Sequence, residues 1–154
     1  GIHSNGLTLA REAVTRQHDY VDAFPPAPDR TIGEVLLEPT RIYTDLLSSL
    51  RAYETHAAAH VTGGGWTNLL RMGSHRYAVS DPFDAHPIFE FIQTAGGVSD
   101  AEMHRTFNMG TGFVAALPPT DAEAVAGDTD GRVIGAVEES KNGGLVAVRG
   151  LELE

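Results

Sequence analysis

The chain has 154 residues, 42% of them apolar, and no cysteine. That is enough for one domain with a buried core, and it excludes a disordered segment, a disulfide framework and thiol chemistry. Twenty-one acids stand against 11 bases, a formal net charge of −10, which excludes a nucleic-acid partner because counterion release needs clustered Lys and Arg.

The longest apolar run, residues 113–117, is strand-sized, so no membrane partner is expected. No signal-peptide pattern opens the chain, and a cytoplasmic protein is the expectation. The acids are scattered, and Lys141 is the only lysine. Many carboxylates with almost no lysine suggest adaptation to high salt, where screening removes self-repulsion. The chain opens on Gly1 rather than Met, so a fragment cut at a domain boundary is expected. The closing "GLELE" is expected to include a residue or two foreign to the domain.

In chain order, "NGLTLAREAVTRQH" reads as a helix with Leu7, Ala10 and Val14 on one face and Ser4 or Asn5 as its cap. The proline-rich stretch 22–33 reads as a surface loop. "RIYTDLLSSLRAY" places Ile42, Leu46, Leu47, Leu50 and Tyr53 on a helical stripe, read as core packing. "AAAHVT" reads as a buried strand, "GWTNLLRM" as a short helix and "HRYAVS" as an alternating strand. "HPIFEFIQTAG" is a helix stopped by Gly96 and Gly97. "SDAEMHRTF" opens with a capping box, Ser99 with Glu102. "GFVAALP" is a strand, and "TDAEAVAG" is a helix capped by Thr120 with Glu123. "RVIGAVEE" and "GLVAVRG" predict a hairpin across "SKNGG". Together these predict an α+β fold with one mixed sheet covered by helices.

Several familiar motifs fail. Lys141 is followed by Asn142, so there is no Walker loop. "GTGFVA" has the glycine spacing of a dinucleotide fingerprint but opens a strand where a helix is required. "IHSNG" has Ile2 where a nucleophile elbow needs glycine. His56 and His60 are four apart, but His60 falls on a strand and no Glu stands between them, so no metal ligand is assigned. Three polar, glycine-rich segments remain. "GIHSNG" puts His3, Ser4 and Asn5 at a helix N-terminus, where N–H groups favour an anion and His3 can exchange a proton; an ordinary N-cap gives the same pattern. "HVTGGG" sits between strand and helix, where glycine backbone can approach a phosphate or simply turn. "FNMGTG" sets Asn108 beside two glycines, at a cleft or a bulge.

In these segments the chain resembles the C-terminal domain of the aminoimidazole ribonucleotide synthetase (phosphoribosylformylglycinamidine cyclo-ligase) family. The matching pieces are "GIHSNGLTLAR", "LLEPTRIY", "HVTGGGWTNLLR", "PIFEFIQTAGGVSDAEMHRTFNMGTGFVAALP" and "VIGAVEE", with residues 96–118 the most specific. Relatives in the wider superfamily, such as selenophosphate synthetase, a hydrogenase maturation protein, thiamine phosphate kinase and formylglycinamidine ribonucleotide synthetase, share the glycine loop but look different at "HSNG" and "FNMGTG". A phosphate-binding interface module without catalysis is the alternative of another class.

The resemblance implies that residues 1–154 are one C-terminal domain, a three-layer α/β/α arrangement with a mixed, largely antiparallel sheet and partly ferredoxin-like topology. It implies ATP and Mg²⁺ held mainly by an N-terminal domain outside this chain, dimerisation through that domain, and ATP-dependent ring closure of formylglycinamidine ribonucleotide. By the same resemblance His3 and Asn5 are the catalytic candidates, and Ser4 and Gly6 shape their site. Thr62, Gly63, Gly64 and Gly65 would hold the substrate's ribose phosphate. Thr40 and Arg41 would touch phosphate or the other domain, and Asn108 and Gly110 would line the cleft. Asp45 and Leu46 stand where many family members carry Lys-Pro, which removes a basic contact near that helix. Thr8 replaces a Tyr common in bacterial members.

Overall fold

The computed structural model describes residues 1–2 and 6–154. Three helices and two small cores organise it. Helix α1 (Leu7–Val14) buries Ala10, Ala13 and Val14. Those small residues let it approach α4 (Pro87–Gly96) so closely that a Cβ on Gly96 would lie 2.8 Å from that of Ala13. Leu7, expected on the inner face, is 37% exposed. The residue before α1 is Gly6, at φ 79°, and the caps expected from Ser4 or Asn5 fall outside the described residues. His3, Ser4 and Asn5 lie outside the described residues.

Helix α4 buries Ile88, Phe89, Ile92 and Ala95 and ends on Gly97 in the left-handed region, as the sequence predicts. Helix α5 (Asp100–Thr106) starts at Ser99, whose hydroxyl accepts from the Glu102 N–H at 3.3 Å. Acids in its first turn and His104 and Arg105 in its last suit the helix dipole. This helix separates the two cores. Met103 and Phe107 belong to the first, with Ile2, Ile32, Phe89 and Ile92. Ala101 packs against the second, built on Val61, Trp66, Leu69, Tyr77, Val146 and Leu153.

The proline-rich stretch is not a plain loop. Strands β1 (Ala23–Phe24) and β2 (Ala27–Thr31) form a hairpin around Pro25 and Pro26, with Phe24 paired to Ala27. A two-stranded, solvent-facing ribbon tolerates prolines that a central strand would not. Helix α2 (Ile32–Leu36) follows, with a full capping box between Thr31 and Glu34. Phe24 and Ile32 anchor this segment in the first core.

Residues 41–53 also depart from expectation. Helix α3 covers only Leu46–Ala52 and buries only Leu50. Ile42 is 75% exposed and Leu47 44%, so the apolar stripe is not core packing within this chain.

The α+β class holds, but the strands form three sheets rather than one. Strands β3 (Ala57–His60) and β5 (Phe113–Ala116) pair antiparallel, with Ala59 the one buried residue of β3. The largest sheet runs β6 (Gly135–Glu138), β4 (Arg76–Val79), β7 (Leu145–Val148), β8 (Leu151–Leu153). β4 is antiparallel to β6 and parallel to β7, and Tyr77 lies between Val137 and Val146. The hairpin predicted across "SKNGG" is therefore split by β4. Six residues easily bridge the roughly 10 Å of two strand spacings. The true hairpin is β7–β8, turned by Arg149 and Gly150 at φ 48° and 87°, the pair of positive φ values that a tight two-residue turn needs. Within the closing "GLELE", Leu151–Leu153 form β8 and Leu153 is fully buried.

Helix α6 (Pro119–Asp128) begins at its proline, without the cap expected from Thr120 and Glu123, and buries no residue fully. It is tied to the end of α3 by Tyr53 donating to Asp128 at 2.6 Å and by the Glu54 N–H donating to Asp121 at 2.9 Å. An apolar cavity of about 520 Å³ lies among α6, β5 and the β4–β6 edge.

Candidate functional site

The end of α5 is where the glycine-rich segments meet. Gly6 packs so closely on it that a Cβ there would collide with the Phe107 ring and reach 2.9 Å from Thr106 Cγ2. Gly65 approaches from the other core. A Cβ there would collide with the His104 carbonyl oxygen and stand 2.8 Å from the Arg105 carbonyl carbon. Gly6 and Gly65 are therefore both packed against residues 104–107 at the end of α5. Only glycine permits either approach, and both residues have positive φ.

The loop 107–112 completes the arrangement. Asn108 is 5% exposed. Its Oδ1 accepts from the Gly110 N–H at 2.8 Å, and its Nδ2 donates to the Gly1 carbonyl at 3.4 Å. Met109 and Gly110 are both left-handed, at φ 49° and 94°. A Cβ on Gly110 would strike the Asp84 carbonyl oxygen. The Thr111 hydroxyl, almost wholly buried, accepts from the Phe83 N–H at 3.2 Å. The loop then hands on to β5, with the Gly112 carbonyl accepting from the Val61 N–H at 2.9 Å. A strand follows "GTG", so a dinucleotide fingerprint is structurally excluded.

Within 62–65 the three glycines differ. The Gly65 N–H donates to the Thr62 carbonyl at 2.7 Å and is spent inside the turn. Gly64, exposed and at φ 94°, offers its carbonyl to the Thr67 N–H and hydroxyl. Gly64 is exposed, Gly63 half-buried and Gly65 buried, and no hydrogen bond among the described residues uses the N–H groups of Gly63 and Gly64. Asn68, 2% exposed, donates to the His60 carbonyl at 3.3 Å and ties the start of the 3₁₀ helix Gly65–Met72 to the end of β3.

Thr40 and Arg41 are not in this cluster. Both are exposed. Arg41 pairs with Asp130 at 3.4 Å and Asp45 at 3.7 Å and lies 5.5 Å from the Tyr43 ring centre. Tyr43 in turn stacks on Phe113 and meets His60 edge-on, so the connection to the glycine loop is indirect, along β3. Burial of the Tyr43 ring raises its pKa. Two residues of the site escape the sequence reading, Asn68 and Thr111. Thr111 lies between Gly110 and Gly112 and Asn68 three residues beyond Gly65, and that nearness of a short polar side chain to a glycine turn is the available signal.

His86 borders the same corner, with Nδ1 3.5 Å from the Gly1 nitrogen. Burial first, and the neighbouring positive charge second, lower its pKa. Among the described residues no three His, Cys, Asp or Glu side chains are grouped to hold a metal ion.

A family model described as AIR synthase related protein, C-terminal domain, matches residues 1–148. Similar proteins named phosphoribosylformylglycinamidine cyclo-ligase include one from Methanosarcina mazei, 45% identical over 91% of this chain and 42% of its own length. One from Methanopyrus kandleri is 44% identical over 100% of this chain and 46% of its own. One from Lachnoclostridium phytofermentans is 34% identical over 93% and 45%. The chain spans less than half the length of these curated relatives. With the family match covering nearly every residue and the glycine segments meeting on one helical turn, the chain belongs to the AIR synthase related proteins, as their C-terminal domain.

Proposed function

We propose that this chain is the substrate-cleft half of an ATP-dependent cyclo-ligase. The reaction converts formylglycinamidine ribonucleotide to aminoimidazole ribonucleotide, ADP and phosphate, a step of purine biosynthesis in the cytoplasm. The formyl oxygen takes a phosphoryl group and becomes a leaving group. A neighbouring nitrogen attacks the same carbon, phosphate departs, a proton is lost and the ring closes. Such chemistry depends on positioning and on stabilising the oxygen that accumulates charge. The observation that carries the reading is the meeting of loops 62–65 and 107–112 with Gly6 on one turn of α5.

In this reading the N–H groups of Gly63 and Gly64 hold the ribose phosphate, with Thr62 beside them and Gly65 fixing the turn. Asn108 and Gly110 set the wall of the cleft. His3 takes or gives the proton, and Ser4, Asn5 and Gly6 shape its surroundings. Thr40 and Arg41 contact phosphate or the other domain. By the same family resemblance ATP, the source of the phosphoryl group, and Mg²⁺ are held mainly by an N-terminal domain, which also forms the homodimer.

The test is turnover by the longer protein. With formylglycinamidine ribonucleotide and ATP it forms the imidazole ribonucleotide, and this chain alone does not. His3→Ala in the longer protein is expected to lower kcat by at least a hundredfold with the fold intact. A folded, fully active variant removes His3 from the chemistry, and absence of imidazole product defeats the reading.

A further inference from the structure

The segment 81–86 carries the chain from β4 to α4 with no helix or strand of its own. Its buried backbone polar groups must therefore find partners outside a ladder. The carbonyl of Pro82, a buried residue, finds two guanidiniums. Arg132 Nη2 donates to it, and Arg149 Nη2 donates to it at 3.5 Å. A carbonyl oxygen can accept two donors, and charged donors make the stronger bonds. The sheet topology explains the convergence. β4 lies between β6 and β7, with Val79 opposite Gly135 on one side and Val148 on the other. Arg132 stands three residues before Gly135, and Arg149 one residue after Val148. Both therefore flank the point where the chain leaves β4. Each also reaches along the segment. Arg132 pairs with Asp81 at 3.6 Å and lies 4.7 Å from the Phe83 ring centre. Arg149 pairs with Asp84 at 3.6 Å.

The same segment holds the loop 107–112. The Phe83 N–H donates to the Thr111 hydroxyl at 3.2 Å, and the Asp84 carbonyl leaves no room for a Cβ on Gly110. Thr111 and Gly110 are in turn bonded to Asn108, their N–H groups donating to its carbonyl at 3.0 Å and to its Oδ1 at 2.8 Å. Pro82, Phe83 and Asp84 thus each touch an arginine, and the last two also touch the loop of the candidate site. Arg149 carries a second mark. At φ 48° it begins the turn from β7 to β8, where Asn, Asp or Gly fits and Arg strains the backbone. Its ion pair does not account for that choice, because Asp84 is 95% exposed and such pairs add little stability. We propose that Arg132 and Arg149 are positioning residues, a clamp on Pro82–Asp84 that fixes Asn108 and Gly110 in the candidate site. The inference rests on the reading of loop 107–112 as a wall of the substrate cleft, while the clamp itself does not depend on the reaction.

Arg149→Asn in the longer protein separates this role from a merely structural one. Asn suits the turn but cannot reach the segment, so the melting temperature is expected to stay at or above that of wild type. Amide hydrogen exchange at 107–112 is expected to speed up at least tenfold. kcat/KM for formylglycinamidine ribonucleotide is expected to fall at least tenfold in the same variant. A residue that served stability alone would move the melting temperature and leave the other two readings in place. Arg132→Met, which keeps an unbranched stem beside Phe83 and loses the donors, is expected to speed exchange at 107–112 likewise. Unchanged exchange there in both variants overturns the proposal. Faster exchange spread evenly over the chain with a falling melting temperature also overturns it, as does a wild-type kcat/KM in both variants. If the wild type makes no imidazole product and exchange still rises only at 107–112 in the variants, the cyclo-ligase reading fails and the clamp stands.

Discussion

A methyl group at Gly65 collides with the His104 carbonyl oxygen, while one at Gly64 has no neighbour nearer than 3.3 Å. Both residues have positive φ, so both substitutions strain the backbone, but only the first also overpacks. Gly65→Ala is expected to cost on the order of 3 kcal/mol and Gly64→Ala about 1 kcal/mol, read from urea unfolding midpoints. If Gly64 holds phosphate, its alanine variant stays folded yet binds ribose 5-phosphate at least tenfold more weakly, seen by amide chemical shifts in titration. Equal binding by wild type and variant would remove Gly64 from the cradle. Sequence marks all three glycines alike. Their division of labour is a matter of what stands behind each one.

At the scale of elements, two short segments carry more than their length suggests. The Thr31–Glu34 box fixes the start of α2. Thr31→Ala is expected to cost about 1 kcal/mol. Hydrogen bonds from the Thr31 backbone and hydroxyl lower the Glu34 pKa. The sign follows: a depressed carboxyl contributes stability that is present above its ordinary pKa and lost as pH falls through the folded value. Glu34→Ala should therefore flatten the acid limb of the stability profile and leave its shape unchanged near neutrality. The second segment is β8. Leu153 is fully buried and pairs with Val146. Leu153→Ala is expected to cost about 3 kcal/mol, measured by urea denaturation; a cost below about 1 kcal/mol would mean that β8 is not part of the core.

For the whole molecule the governing quantity is charge. Every ion pair found among the described residues has partners with side chains at least 32% exposed. Such pairs contribute little. Repulsion among the carboxylates left over from a net charge of −10 is expected to outweigh them, and salt screens it. The melting temperature is expected to rise steadily between dilute buffer and molar KCl. A flat or falling trend would refute both the dominance of repulsion and the proposed adaptation to salt.

Periodicity and glycine spacing determined that this is an α+β domain with helices within "NGLTLAREAVTRQH", "HPIFEFIQTAG" and "SDAEMHRTF", because hydrophobic period acts within a few residues; the first is the shorter Leu7–Val14. Composition determined the charge, and three short glycine-rich motifs marked the candidate segments. Sequence misled wherever the deciding partner was remote. The "SKNGG" turn signal holds for any antiparallel pair until β4 is inserted between its arms, and the stripe at 42–53 fits a core helix until the fold supplies no core for it. Which glycines pack and which are exposed depends on atoms about 40 and 100 residues away, since Gly65 meets His104 and Gly6 meets Phe107. Local sequence carries no record of those distances. Only the packing of α5 between the two cores brings Gly6, Gly65 and the loop 107–112 together.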